Sequence, residues 1–279
     1  MKFYIFNKKH IIIFVSIILI LTISFLSYSI YASYSNTSYC YSDSIFCVSS
    51  LIDFKGNFST SIQQKIDSIY TSNEKVAFLT FDDGPTKVAT TQILDILKKE
   101  DIKATFFVIG YRVKEFPNTV KRAYDEGHFI ANHTYSHKNS KLYQSKNSFI
   151  KELQDTENAI SEAIGTSYTS HLFRFPNGSK GTSYSSQKKQ CIKYLEEINY
   201  GYVDWNALNQ DSIGHYTSNE LLNNLKKTTK GKNSLVILMH DTADVSRSYL
   251  ALEDSIKFLK SEGYTFKTFE DFVTIRDSP

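Results

Sequence analysis

The chain has 279 residues, 41% hydrophobic and 22% charged, enough for one large domain or two small ones with a real core. Gly (11) and Pro (4) are too scarce for a collagen-like, linker-rich or disordered protein. The formal charge of +3 resides in Lys2, Lys8 and Lys9; beyond them 29 Lys+Arg face 29 Asp+Glu, so no basic footprint for nucleic acid is present.

Those three lysines precede an apolar run from Ile11 to Leu26 that fades through Tyr28 to Ile30. At about 1.5 Å per residue, some twenty helical residues match the roughly 30 Å hydrocarbon layer. Basic residues before the run and none soon after it predict a single transmembrane helix with the body of the chain outside. A signal peptide cut near Ala32, releasing the body, is the competing expectation. Residues 1–31 are thus read as a basic start and anchor, 32–74 as an extracellular stem, and 75–279 as the main domain. Within the stem, which is rich in Ser, Tyr, Asn and Thr, a short helix is expected over Ile62–Tyr70. Cys40 and Cys47 could close a small disulfide loop or stay free, whereas Cys191 is spaced with Leu195 and Ile198 as a core residue.

From Lys75 onward short apolar runs alternate with amphipathic ones. Val76–Thr80, Ala104–Ile109, Phe129–Ala131, Leu172–Phe175, Tyr202–Trp205 and Leu235–Met239 are predicted as buried strands. Ile93, Ile96 and Leu97 share one helical face; so do Phe149, Leu153, Ile160 and Ile164, and then Tyr249, Leu252, Ile256 and Leu259. Gly127, Gly165, Gly201 and Gly263 fall near the ends of these helical stretches, where a left-handed cap suits glycine. The alternation predicts an α/β fold with a parallel sheet, doubly wound or closed into a barrel, and places any chemistry beyond the C-terminal strand ends.

Polar clusters stand at those ends. Phe81-Asp82-Asp83-Gly84-Pro85 puts two adjacent carboxylates after the first strand, one able to bind a cation while the other addresses a water. Alone, it reads more readily as a solvated turn. His133-Thr-Tyr-Ser-His137 offers two imidazoles at i and i+4, suited to one metal if the segment is helical. Joined to Asp83, they make a two-His, one-carboxylate set that leaves coordination positions open. Arg174-Phe-Pro-Asn177, Asp204-Trp205-Asn206 and Leu238-Met-His240-Asp241 complete five clusters at five strand ends. Coincidence is a poor account of all five together.

In order and spacing, Thr80-Phe-Asp-Asp-Gly-Pro85, His133-Thr-Tyr-Ser-His137, Arg174-Phe-Pro, Asp204-Trp-Asn and Leu238-Met-His-Asp241 resemble the five motifs of the polysaccharide deacetylases. These form carbohydrate esterase family 4, with its NodB-like domain, and the resemblance runs from about Lys75 to Ile275. It implies a distorted (β/α) barrel of about seven strands. It further implies that Asp83, His133 and His137 hold one divalent metal, zinc first and cobalt or another divalent ion as alternatives. By the same resemblance Asp82 is the general base and His240 the general acid, with Arg174 steadying Asp82 and Asp204 orienting His240. Leu238 and Trp205 would line the acetyl-methyl pocket, and the Asn177 N–H would help bind the oxyanion. Asn177 stands where many members carry Tyr or Gly, which leaves the backbone donor intact but alters the groove wall.

The chemistry is consistent with that division of roles. A dication polarises an amide carbonyl, a carboxylate takes a proton from water, and a histidine returns one to the departing amine near neutral pH. Asn177-Gly-Ser-Lys-Gly181 misses the GxSxG elbow, so a serine route has little support. The leading expectation is a membrane-anchored, monomeric enzyme that removes N-acetyl groups from a surface glycan, nearest the N-acetylglucosamine of peptidoglycan. The alternatives are a deacetylase of chitooligosaccharide or an O-acetyl esterase on another polysaccharide. An inactive glycan-binding module is the third reading, disfavoured because Asp82 and His240 are both present.

Overall fold

The structure is a computed structural model and describes residues 61–214, 216–242 and 247–273. The apolar run at 11–30, the cleavage position and the Cys40–Cys47 pair lie outside the described residues. Among those described, no helix is long and apolar enough to cross a membrane.

The elements follow the predicted alternation. Helix α1 (Ile62–Ile69) leads into β1 (Val76–Asp82), α2 (Ala89–Glu100), β2 (Thr105–Val108), α3 (Gly110–Glu115), α4 (Pro117–Asp125) and β3 (Phe129–Asn132). Then come α5 (Asn139–Leu142), α6 (Lys146–Ile164), β4 (Leu172–Phe173), α7 (Ser185–Glu197), β5 (Gly201–Tyr202), β6 (Ala207–Leu208) and α8 (Ser218–Thr229). The last are β7 (Ser234–His240), α9 (Tyr249–Ser261), β8 (Thr265–Phe266) and α10 (Glu270–Val273). All recorded strand pairs are parallel, in the order β5-β4-β3-β2-β1-β7-β6, with β8 added to β1. The seven-strand path matches the expected number, but β5 and β6 do not pair, so the barrel is open there.

Strand parity divides the core in two. Ala77, Leu79 and Phe81 of β1 join Leu235, Ile237 and Met239 of β7 against the helices, packing on Ile93, Leu97, Ile160, Leu252 and Ile256. The alternate residues Val76 and Phe78, with Phe107, Ala131, Leu172, Val203 and Val236, form the inner cluster. Because successive strand side chains point to opposite faces, Thr80 and Asp82 continue the inner row of β1, as Leu238 and His240 continue that of β7. The β1–β7 register places Asp82 opposite His240. Local alternation thereby delivers both residues to one end of the barrel interior.

Helix α1 belongs to this compact body, although the sequence assigns it to the stem. Its Ile62, Ile66 and Ile69 are buried in the inner cluster. Ser61 and Gln64 form a capping box at its start, and Gln63 Oε1 accepts from the Tyr202 N–H (2.8 Å), covering an edge of β5. Gly201 accounts for the close approach. A Cβ there would lie 2.3 Å from Ile66 Cδ1, so glycine makes room for α1 and does not serve as the expected helix cap. Gly127, Gly165 and Gly263 do adopt positive φ, as expected of caps. Cys191 is a buried free thiol in a third cluster with Phe149, Phe175 and Leu195.

Candidate active site

The site begins where β1 ends. Asp83 takes a left-handed backbone conformation (φ 77°), which turns its carboxylate away from that of Asp82. Asp83 Oδ1 lies 3.1 Å from His137 Nε2 and 3.4 Å from His133 Nε2. One ligand atom from each of the three falls within 4.8 Å of the other two. Burial by itself would raise the Asp83 carboxyl, but the two imidazoles beside it, when they carry protons in place of a metal, hold it well below the usual carboxylate range.

The histidine segment is not helical, contrary to the condition under which i and i+4 spacing would bring the two rings together. Thr134 (φ 71°) and His137 (φ 53°) are both left-handed, and side chains hold the loop. Asn132 Oδ1 accepts from the Thr134 N–H (3.0 Å), and Thr134 Oγ1 from the His137 N–H (2.9 Å). From α6, Glu152 accepts from the N–H groups of Tyr135 (3.0 Å) and Ser136 (2.7 Å). His133 Nδ1 donates to the Arg174 carbonyl (2.8 Å), which leaves Nε2 as the acceptor that faces Asp83.

Asp83 Oδ1 is a buried oxygen with no hydrogen bond among the described residues. An orphaned carboxylate oxygen facing two imidazole nitrogens fits a divalent cation, and two nitrogens with one oxygen form a donor set that leaves further positions open.

Arg174 is fully buried at the centre of the barrel. It donates through Nη1 to Asp82 Oδ1 (2.8 Å) and Thr80 Oγ1 (2.7 Å), and through Nε to the Val203 carbonyl (3.1 Å). Its guanidinium also lies 4.0 Å from the centroid of the Phe107 ring. One side chain can bridge the ends of β1 and β5, four strands apart in the sheet, only because the sheet curls around it.

Across the opening stands His240. Here the structure corrects the sequence-based assignment: the carboxylate bonded to His240 is that of Asp211, not Asp204. His240 Nδ1 donates to Asp211 Oδ1 (2.7 Å) and the His240 N–H to Asp211 Oδ2 (2.7 Å). Ser248 Oγ donates to the same Oδ2 and accepts from Asn209 Nδ2 (2.8 Å). Burial would lower the His240 pKa, but the Asp211 carboxylate raises it to about 9. Asp204 accepts instead from the Ser179 N–H (2.8 Å) and Oγ (2.6 Å), fastening the loop after β4. The sequence pattern does not single out Asp211, because β6, the strand before it, is only two residues long. Its local signal was Asn209, whose Oδ1 accepts from the Asp211 N–H (3.1 Å) in an Asx-type turn.

The other residues singled out by sequence lie around this centre. Leu238 is two residues below His240 on the inner row of β7. Trp205 packs against Gly178, where a Cβ would approach its Cη2 to 3.1 Å. Asn177 is exposed with φ 61°, a conformation asparagine tolerates. Gly84 permits the turn after Asp83, since a Cβ there would lie 1.9 Å from the buried carboxyl of Asp241.

This arrangement has close counterparts. The polysaccharide deacetylase profile matches residues 70–202. A peptidoglycan-N-acetylglucosamine deacetylase of Bacillus cereus is 35% identical over 202 residues, which cover 71% of this chain and 70% of that protein. The chain belongs to the polysaccharide deacetylase family, carbohydrate esterase family 4. Another relative, the Bacillus subtilis peptidoglycan-N-acetylmuramic acid deacetylase PdaA, is 31% identical over 224 residues, covering 78% of this chain and 80% of the relative. Among solved structures, the catalytic domain of the Eubacterium rectale peptidoglycan N-acetylglucosamine deacetylase superposes with a TM-score of 0.64 at 29% identity, covering 74% of this chain and 91% of that one. As a family member, the chain is a hydrolase whose clustered Asp83, His133 and His137 suit a divalent metal.

Proposed function

We propose that this deacetylase hydrolyses the N-acetyl amide of N-acetylglucosamine in peptidoglycan, using Asp82 as base and His240 as acid. The observation that carries the reading is the juxtaposition of the Asp83–His133–His137 cluster with an Arg174-held Asp82, facing an Asp211-held His240. The relatives' activities support the choice of glycan.

Asp83, His133 and His137 would hold the metal, most simply zinc given two imidazoles and one carboxylate, and when bound it supplies Lewis acidity toward the acetyl carbonyl and its attacking water. Asp82 accepts the proton of that water. Arg174 fixes the orientation of the receiving carboxylate, and its burial excludes competing solvent. The Asn177 N–H lends a donor to the oxygen that develops negative charge. His240, kept protonated near neutral pH by Asp211, donates to the leaving amine through Nε2. Leu238 and Trp205 provide apolar surface for the acetyl methyl. Lys2, Lys8, Lys9 and the apolar run 11–30 support an enzyme tethered to the outer face of the membrane.

Acetate release from purified peptidoglycan tests the reading, measured with chelator and then with zinc or cobalt restored. Asp82→Asn should abolish turnover yet retain metal, whereas His133→Ala should lose the metal itself. Normal rates and metal content in both variants would overturn the assignment.

A further inference from the structure

The loop after β4 is tied to a lysine that the chemistry above leaves unused. Lys188, in the first turn of α7, is buried, and its Nζ donates to the Gly178 carbonyl (2.6 Å). Stability alone is a poor reason for a cation there. Burial lowers the pKa of the ammonium against the pull of the Asp204 carboxylate, and a helix N-terminus carries partial positive charge of its own. Gly181 keeps the space open, since a Cβ there would come to 3.3 Å from Nζ.

The carbonyl that Lys188 holds adjoins a turn that decides where the Asn177 N–H points. The Gly178 N–H donates to the Phe175 carbonyl (2.8 Å), closing four residues with Pro176 and Asn177 at the centre. Asn177 has φ 61° and Gly178 φ 76°. Proline in second place and positive φ in third are marks of a type II turn. A type I turn spans the same four residues with its central peptide reversed, which would swing the Asn177 N–H to the opposite side. Asparagine tolerates the left-handed region but does not favour it as glycine does, so contacts outside the turn weigh on the choice. Asn177 is exposed, and its N–H is engaged by no group among the described residues. The peptide that follows is held at both ends: Lys188 donates to the Gly178 carbonyl, and the Ser179 N–H donates to Asp204 Oδ1 (2.8 Å).

We infer that Lys188 is a positioning residue for the oxyanion donor: its bond to Gly178 holds the turn in the form that aims the Asn177 N–H at the acetyl oxygen. This rests on the deacetylase reading above and adds a residue to it. Lys188 grips the carbonyl one residue after Asn177. Asp204 grips the amide beyond it, where an asparagine would still offer an oxygen. Negative charge develops on the acetyl oxygen only during the reaction, so the effect belongs in kcat more than in KM.

The test measures kcat and KM for acetate release by the zinc-loaded chain, from purified peptidoglycan and from an N-acetylglucosamine oligomer. In Lys188→Met, which keeps a stem of similar length, kcat should fall about 10- to 100-fold with KM unchanged within about threefold. Asn177→Ala, which disfavours positive φ, should show the same split. Both act through one N–H, so Lys188→Met/Asn177→Ala should be no more than about threefold slower than the worse single variant. Metal content should equal that of the unaltered chain throughout. Where the melt of Lys188→Met shows a loosened fold, Lys188→Gln, with a polar head in the buried site, repeats the measurement and should give the same split. A kcat within about twofold of the unaltered value, a loss carried by KM, or single losses that multiply in the double variant would overturn the role of Lys188 and leave the deacetylase reading intact. No acetate from either glycan would overturn that reading, and the role of Lys188 with it.

Discussion

Arg174→Met removes the cation at the centre of the barrel while keeping an apolar stem of similar length. Asp82 is then a buried carboxylate without its partner, and the Thr80 hydroxyl and Val203 carbonyl lose their donor. Removing one member of a buried ion pair destabilises by about 3–5 kcal/mol, because the remaining charge is left uncompensated. For a body of this size each kcal/mol shifts the midpoint by roughly 2–4 °C, so a fall of about 6–20 °C is expected. Arg174→Lys should be intermediate, since one ammonium cannot reproduce the guanidinium fork. The decisive comparison is Arg174→Met/Asp82→Asn. Neutralising the stranded carboxylate should recover on the order of 1–3 kcal/mol relative to the single variant. Denaturant unfolding in the presence of chelator measures all four corners of the cycle without interference from metal. A loss below about 1 kcal/mol for Arg174→Met, or a double variant that is simply additive, would refute the account of Arg174 as the ion partner that makes a buried Asp82 tolerable.

His128 gives a pH prediction away from the metal cluster. Its Nδ1 accepts from the Ala104 N–H (3.1 Å) and its buried Nε2 has no partner among the described residues, so burial, aided by nearby Lys103 and Arg122 and opposed by Glu126, lowers its pKa to about 4. The unfolded chain binds that proton from pH 6.5 downward; the stabilising contribution is therefore complete above about pH 6.5 and is lost as pH falls toward 4. It amounts to about 3 kcal/mol. His128→Asn, which keeps an acceptor near Nδ1, should flatten that stretch of the stability curve; parallel curves would contradict it. Asp211→Asn should lower kcat by about 100-fold or more, by analogy with loss of a positioned acid's orienting carboxylate. Asp204→Asn should act mainly on KM through the Ser179 loop, and steady-state kinetics on one glycan separate the two. Gly84→Ala would press a methyl into the Asp241 carboxyl, destabilising by about 1–3 kcal/mol in thermal or denaturant melts.

Much of this protein is legible in its sequence because the relevant forces are local. Apolar runs of strand length identify β1, β2, β3 and β7, while the register that sets Asp82 opposite His240 belongs to the sheet. The clusters at the strand ends supplied Asp83, His133, His137 and Arg174. What tertiary structure decided were relations between distant segments. Which carboxylate meets His240 depends on a turn after a two-residue strand and on Ser248 crossing from the start of α9, so the motif resemblance that assigns the role to Asp204 misses Asp211. Helix α1 joins the body because Gly201, far along the chain, has no Cβ to oppose Ile66. The two histidines meet through left-handed turns held by Asn132, Thr134 and Glu152, not through a helical face. Strand parity repeats every two residues and can be read along one segment. Contacts across a curled sheet depend on how the chain closes on itself, and no short window of residues contains that information.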